Sequence, residues 1–441
     1  MKKVFLIFFI IVNLTNCSDN NVVRHKGFSS EYPLIDVGSI SGKYQRVYCS
    51  DYFSSIELIP LETNDNSIIG IRLLDNLVLV NDSLIFVISE HHTGNIVYSW
   101  MPRDLLVFDR SGNFLNQIGR IGQGPRDYLG IQNVYLNIEK PTIFIDDQLS
   151  IIEYDFAGKF IDSFRKPNTL GIMTDHSNFV GENLFFGSIG YYATRGNNYF
   201  LFDRTGTVIK SFPDYYLLDS DDARNVWTNK SRSFRIDENL YIKDSGINDT
   251  IYIVENMSLN PLYVFDFGKY KYPLGDINKE GRKKIRNVDP ADAHKRYFRN
   301  GLIVGTPKYF FYRLFVPQSL PTPKLRPEIN GVGVLVPPTG SDILAIFDRV
   351  KNTNILLDTD QHLQKGLIND INGGLSFIPR YYTGNNEVVD VWRADDMKEM
   401  LTEEYFATQT IKDNQEYEKL RELLKNLKED DNPVIVIAKL K

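Results

Sequence analysis

The chain has 441 residues, 42% of them hydrophobic and 13% aromatic, which is enough to bury a large core and excludes a disordered protein. A formal net charge of −6 excludes binding to nucleic acid through bulk positive charge, so no nucleic-acid partner is expected.

Met1-Lys2-Lys3 is a short basic stretch, and Val4 to Val12 (VFLIFFIIV) is an uninterrupted apolar run. That run is far shorter than the ~20 residues a membrane-spanning helix needs. It reads as an export signal. Leu14-Thr15-Asn16-Cys17 follows and resembles the lipobox of bacterial lipoproteins, in which the Cys thiol receives a lipid; Asn16 departs from the usual small residue there. The resemblance implies lipidation at Cys17 and a protein held at the outer membrane, on its periplasmic or cell-surface side. The expected organisation is a signal peptide and lipobox over 1–17, a flexible tether over 18–43, and one folded body over 44–441. The only other cysteine, Cys49, then has no disulfide partner in the chain and is expected to be a small buried packing residue.

Three segments of the body align with one another: LLVFDRSGNFLNQIG ending at Gly119, IIEYDFAGKFIDSF ending at Phe164, and YFLFDRTGTVIKSF ending at Phe212. Each carries Asp-x-x-Gly between runs of strand-forming residues, with the acids at Asp109, Asp155 and Asp203 and the glycines at Gly112, Gly158 and Gly206. A period near 47 residues matches one four-stranded blade of a β-propeller per repeat. The Asp accepts from amides further along the turn, and the Gly adopts positive φ. These acids are therefore turn-formers rather than catalysts.

Taken in chain order, six blades are predicted. The first runs from about Leu73 to Gly119, the second from Gly130 to Phe164 and the third from Ile172 to Phe212. A fourth uses Phe234 to Ile236, Leu240 to Ile242, Thr250 to Val254 and Leu262 to Phe267. Ile343 to Asp348 and Asn354 to Leu357 mark the fifth, and Val388 to Trp392 and Val434 to Leu440 the sixth. Ile56 to Leu61 is expected to pair with Val434 to Leu440 and clasp the ring. Two segments break the pattern. Lys269 to Tyr309 reads as a charged, partly helical surface excursion. About 395–431, Tyr417, Leu420, Leu424 and Leu427 recur at helical spacing, which predicts an amphipathic helix inserted in the sixth blade and capping it. The fold class is all-β, a six-bladed β-propeller with an inserted C-terminal amphipathic helix.

The segment Ile118-Gly119-Arg120-Ile121-Gly122-Gln123-Gly124-Pro125-Arg126-Asp127-Tyr128 resembles a loop of the six-bladed β-propeller lipoproteins of Bacteroidetes, which are similar to NHL-repeat propellers. Ile59 to Thr63, Asn248 to Tyr252 and Asn432 to Val436 fit the same family. The resemblance implies the fold and an exported lipoprotein, and no agreed activity. A nucleotide cradle is a poor reading of the glycines, because Pro125 follows at once and no helix opens after them. The loop reads as the crossing between two blades, expected at the rim of the central channel. There Arg120, Arg126, Asp127 and Tyr128 either meet a ligand or brace the crossing by hydrogen bonds.

No catalytic motif appears. The six histidines form no metal pair beyond His91-His92, whose side chains face opposite ways on a strand. Acidic pairs such as Asp146-Asp147 and Asp221-Asp222 read as solvated turns. No catalytic residue, metal ligand or cofactor is assigned. The leading expectation is a membrane-anchored binding or scaffold module for a glycan, peptide or protein, with Tyr191-Tyr192, Trp227 and Tyr381-Tyr382 as aromatic loop residues. The alternative is a propeller hydrolase or lactonase with a metal in its channel.

Overall fold

The computed structural model describes residues 32–441 apart from 71–77, 91–102, 170–171, 190–198, 213–215, 219–230, 245–248, 278–282, 286–294, 325–327, 330–334 and 337–341. Cys17, His25, His91, His92, Tyr191, Tyr192, Asp221, Asp222, Trp227 and His294 lie outside the described residues.

Strands β1 (Leu34–Asp36), β2 (Tyr44–Gln45) and β3 (Phe53–Pro60) precede the blades, with a short helix α1 (Cys49–Tyr52) leading into β3. Blade 1 is β4 (Val78–Val80), β5 (Leu84–Glu90), β6 (Arg103–Asp109) and β7 (Phe114–Ile118). Blade 2 is β8 (Asn133–Leu136), β9 (Thr142–Asp146), β10 (Ser150–Asp155) and β11 (Phe160–Arg165). In blade 3 a short β12 (Asn168–Thr169) joins β13 (Ile172–Gly181), β14 (Leu184–Ile189), β15 (Tyr199–Asp203) and β16 (Val208–Phe212). β17 (Tyr216–Leu218), β22 (Leu274–Ile277) and β23 (Lys283–Ile285) form a small separate sheet whose strands bracket blade 4 in the sequence, and blade 4 is β18 (Ser231–Ile236), β19 (Asn239–Asp244), β20 (Thr250–Glu255) and β21 (Ser258–Asp266). Blade 5 is β24 (Arg299–Gly305), β25 (Tyr309–Phe315), β28 (Asp342–Asp348) and β29 (Thr353–Leu357), interrupted by the hairpin β26 (Glu328–Ile329) and β27 (Leu335–Val336). Blade 6 is β30 (Tyr381–Tyr382), β31 (Glu387–Trp392), β32 (Val434–Leu440) and, as its outermost strand, β3. Ile56 pairs with Ala438 and Ile59 with Ile435, so the predicted clasp closes the ring.

A single antiparallel blade leaves both of its faces apolar, and stacking round a ring covers them. The burial pattern shows this directly, because one hydrophobic cluster fills each seam. Val80, Val87, Val389 and Ile435 join blades 6 and 1, while Phe86, Val107, Ile145 and Tyr154 join blades 1 and 2. Phe144, Phe179, Phe185 and Phe202 fill the next seam, and Phe186, Leu201, Leu240 and Tyr252 the one after. Phe265, Phe310, Tyr312 and Phe347 lie between blades 4 and 5. The last cluster, between blades 5 and 6, extends under the insertion through Met397, Tyr405, Phe406 and Leu420.

The three aligned turns are equivalent. Gly112, Gly158 and Gly206 have φ of 87°, 84° and 77°, each between the third and fourth strands of consecutive blades. Each turn acid accepts from two amides: Asp109 from Ser111 and Asn113, Asp155 from Ala157 and Lys159, Asp203 from Thr205 and Thr207.

Several expectations are corrected. The segment 18–43 is not all tether, because β1 adds a parallel fifth strand to the outer edge of blade 4, with Ile35 and Val37 fully buried; β2, at the start of the expected body, does the same for blade 5. An unpaired outer edge offers free backbone groups, and the N-terminal segment satisfies them. The excursion predicted over Lys269 to Tyr309 ends early, since Arg299–Gly305 is the innermost strand of blade 5. Tyr381-Tyr382 is the inner strand of blade 6 rather than a loop. Asp146 and Asp147 are buried, not solvated. The insertion holds three helices, α2 (Ala394–Met400), α3 (Glu403–Phe406) and α4 (Asn414–Asn426). Asp413 caps α4 by accepting from Gln415 and Glu416, and the stripe of Tyr417, Leu420, Leu424 and Leu427 packs on the core as predicted.

Candidate binding surface on the seam between blades 1 and 2

The crossing from β7 to β8 starts at Gly119, whose φ is 63°. A β-carbon there would fall 2.7 Å from the Tyr154 hydroxyl and 2.9 Å from the Tyr128 ring, so the backbone and the contact both require glycine. The loop then closes on itself. The Tyr128 amide donates to the Arg120 carbonyl (3.1 Å), and the Gly122 amide to the Tyr128 carbonyl (3.0 Å). Inside the closure sits the Asp127 carboxylate, which accepts from Arg120 Nε (2.9 Å) and the Gly124 amide (3.1 Å). The hydrogen bond from Arg120 is the main reason its carboxyl is held below the usual range. Gly122 and Gly124 lie directly over that carboxylate, with no space for β-carbons. The glycines of this loop therefore cradle the chain's own acid.

Two of the four predicted contact residues are braces. Tyr128 is fully buried in the blade 1–2 cluster, and burial pushes its hydroxyl pKa up. Asp127 holds the loop shut. The Arg126 carbonyl accepts from the Tyr154 hydroxyl (2.6 Å), and its guanidinium lies 5.7 Å over the Phe160 ring. Tyr154 and Phe160 belong to the third and fourth strands of blade 2. The loop therefore covers the outer part of the seam and not the rim of the channel, which corrects the sequence expectation. The reason is blade twist: the outer strand is rotated far from the inner one and runs toward the neighbouring blade.

What the braced loop leaves in solvent is an apolar surface with cations beside it. Ile121 is 37% exposed and Leu129 44%. The Leu129 amide donates to Asp147 Oδ2 (3.2 Å), which brings in the β9–β10 turn and its Leu149, 42% exposed. The Arg120 side chain is 78% exposed and engages Asp127 only through Nε, so its two terminal nitrogens face solvent. Among the described residues, the Arg126 guanidinium contacts the Phe160 ring and no hydrogen-bonded partner. Leu129 and Leu149 were missed in the sequence. A leucine in a turn carries no signal until the fold brings two such turns together.

The surface stands on a rigid base. Asp146, at the end of β9, is fully buried and pairs with Lys166 Nζ at 2.7 Å. Its other oxygen accepts from the Ser177 amide (3.0 Å) and hydroxyl (2.7 Å) on blade 3, and Lys166 also donates to Gln132 (3.1 Å). Burial raises the Asp146 pKa against the opposing pull of Lys166. The Lys166 amide in turn donates to the Leu149 carbonyl (2.9 Å).

Several polar side chains elsewhere are tied into structure. His176 and Asn178 on β13 both meet the Ser233 hydroxyl on β18, at 2.9 and 2.8 Å. His362 stacks on Tyr405 and meets Thr408 (3.0 Å) and Gln409 (3.1 Å). Cys49 is buried against the Leu367 carbonyl, and burial pushes its thiol pKa well up, as befits a packing residue. Among the described residues, no three His, Cys, Asp or Glu side chains converge to hold a metal ion. No described helix is long and apolar enough to cross a membrane.

Comparison with known proteins agrees with the fold. The model of a family described as "Domain of unknown function (DUF4934)" matches residues 32–439. A crystal structure of a Bacteroides fragilis protein described as exported aligns at a TM-score of 0.62 with 15% identity, over 92% of this chain and 99% of that one. A Bacteroides thetaiotaomicron protein of unknown function aligns at 0.37 with 9% identity, over 76% of this chain and 72% of that one. No curated protein matches the sequence.

Proposed function

This chain belongs to the DUF4934 family, and from that footing we propose that it is an exported, lipid-anchored binding module that engages a macromolecular partner through the outer seam between blades 1 and 2. One observation carries the reading: Ile121 and Leu129 stand in solvent on or next to a loop whose backbone is fixed from beneath and which carries the exposed Arg120, and the β9–β10 turn tied to it by Asp147 adds the exposed Leu149. A braced loop loses little conformational freedom on binding, so contact energy is not consumed in ordering it. Exposed apolar groups grouped next to charged ones mark interaction sites more often than scattered ones do.

The chemistry favours a polypeptide partner over a glycan. Sugar rings are held on open aromatic faces, whereas the tyrosines of this seam, Tyr128 and Tyr154, are buried and the exposed groups are aliphatic. The N-terminal route supports display from an anchor at Cys17. The chain joins the ring at the outer edge of blade 4, which a six-bladed ring sets opposite blade 1. A channel-metal hydrolase has no cluster of ligands to build on among the described residues.

Two measurements test the proposal. Mass spectrometry of the mature protein should find a lipid on Cys17, and Cys17→Ser should release the protein from membranes; an unmodified mature N-terminus elsewhere counts against the anchor. On peptide and glycan arrays, Leu129→Asp with Leu149→Asp should abolish the wild-type signal at unchanged melting temperature. Retained binding by that folded variant would move the site off this seam.

A further inference from the structure

Resting on the surface assigned above, we infer that its partner is an extended, acidic polypeptide segment that presents carboxylates on either side of an aliphatic residue. The protein as a whole is acidic, with a formal charge of −6, yet the charges reaching solvent from this loop are cationic. Three acids lie close by: Asp104 on β6 accepts from Gln117 (2.9 Å), and the other two face inward. Asp127 is engaged by Arg120 and the Gly124 amide, and Asp147 is buried, accepting from the Leu129 and Gln148 amides. Arg120 and Arg126 are thus the charged groups that the loop itself turns toward solvent.

Their geometry suits carboxylates. Arg120 is held by Nε alone, so the flat pair of terminal nitrogens is presented in a fixed orientation, the form that binds a carboxylate by two parallel hydrogen bonds. Arg126 is held over the Phe160 ring, with no hydrogen-bonded partner among the described residues. Ile121, Leu129 and Leu149 give a branched side chain apolar area to cover. In an extended segment, alternate side chains point the same way at about 7 Å spacing, so acids and an aliphatic residue can reach one surface together. A free phosphate or an acidic polysaccharide would use the arginines but leave the three aliphatic side chains unmatched.

The test uses the mature chain and fluorescein-labelled peptides read by polarisation. One probe repeats Glu-Ser-Leu-Ser, which puts glutamates and leucines on the same face of an extended segment, a second replaces every glutamate with glutamine, and a third replaces every leucine with serine. The first should bind, and the other two should each bind at least ten-fold more weakly. Arg120→Ala with Arg126→Ala should lower affinity for the first probe at least ten-fold at unchanged melting temperature. Arg120→Lys, which keeps charge but loses the paired nitrogens, should fall between. Equal binding of the glutamine probe, or no loss in the double arginine variant, overturns the inference. So does tighter binding of polygalacturonate than of the first probe. If no acidic probe binds while array binding still depends on Leu129 and Leu149, the surface stands and the acidic partner is wrong. If array binding is also independent of those leucines, both fail.

Discussion

Gly112 is seated against the carbonyl of Pro60, with no room between them for a β-carbon. Pro60 ends β3, the outer strand of blade 6, and Gly112 lies in the turn of blade 1. The same contact recurs round the ring. Gly158 of blade 2 meets the Gln117 carbonyl of β7, where a β-carbon would stand at 3.0 Å, and Gly206 of blade 3 meets the Arg165 carbonyl of β11, at 2.7 Å. Glycine is thus required at these turns twice over, for positive φ and for the approach of the preceding blade.

These clearances rank the substitutions. Gly→Ala should cost most at 112, less at 206 and least at 158, starting from ~1–3 kcal/mol of backbone strain shared by all three. Urea unfolding of the three variants measures the order, and equal losses would mean that strain alone acts.

An arginine follows the turn acid in blades 1, 3 and 5, and each reaches across a seam or braces its own blade. Arg204 pairs with Glu153 (2.7 Å) and Asp162 (3.2 Å) of blade 2 and lies over Phe144 and Phe164. Arg110 reaches Glu387 of blade 6 (3.2 Å), and Arg349 the Thr306 carbonyl (2.7 Å) while stacking on Phe310. In blade 2 the position is Phe156, which packs on Phe86 of blade 1. Arg204→Ala leaves the buried Glu153 uncompensated and should cost about 3 kcal/mol. Adding Glu153→Gln should recover part of that loss; a strictly additive double variant would show that the two groups are uncoupled.

Acid sensitivity should come partly from the turns. Hydrogen bonds, from Asn113 to Asp109 and from Thr205 to Asp203, hold both carboxyls below their ordinary value near 3.8. A lowered folded pKa means stability that is present above about pH 3.8 and is lost as pH falls through the lowered value. The stability difference between wild type and Asp203→Asn should therefore shrink below pH 3.8. Thermal melts from pH 3 to 7 give this directly, and a gap independent of pH would refute it.

The outer strands of the N-terminus should matter to stability. Ile35→Ala removes a fully buried side chain from the edge of blade 4 and should cost about 2–4 kcal/mol. Denaturant titration would show a loss under ~0.5 kcal/mol if this segment were a tether.

The seam loop separates its own roles. Tyr128→Ala empties a core site and should cost about 3–5 kcal/mol, whereas Arg120→Ala, at a solvent-exposed ion pair, should leave the unfolding midpoint close to that of the wild type. Similar losses in both would make Arg120 a structural residue.

The ring and its count of blades were legible because a repeat imposes the same local chemistry many times. Asp-x-x-Gly, with alternating apolar residues on either side, states its turn and its strands within about a dozen positions. The helix stripe at Tyr417 to Leu427 followed from short-range periodicity too, and the clasp between β3 and β32 from the need of a propeller to close its ring. The loop from Gly119 to Tyr128 was legible as a crossing, but its partners were not. Whether Tyr128 points to solvent or to the core depends on Tyr154, 26 positions away, and on how far blade twist carries β7. Nor could the sequence show that Leu129 and Leu149 share a surface, since Asp147 joins them through one hydrogen bond. Likewise, Ile35 looked like tether because its partner, Phe265, is 230 positions away. Local periodicity determines strands, turns and a repeating ring, since their hydrogen bonds close over a few residues. Which side chains meet across seams is decided only when the ring closes, because those contacts arise from stacking and twist.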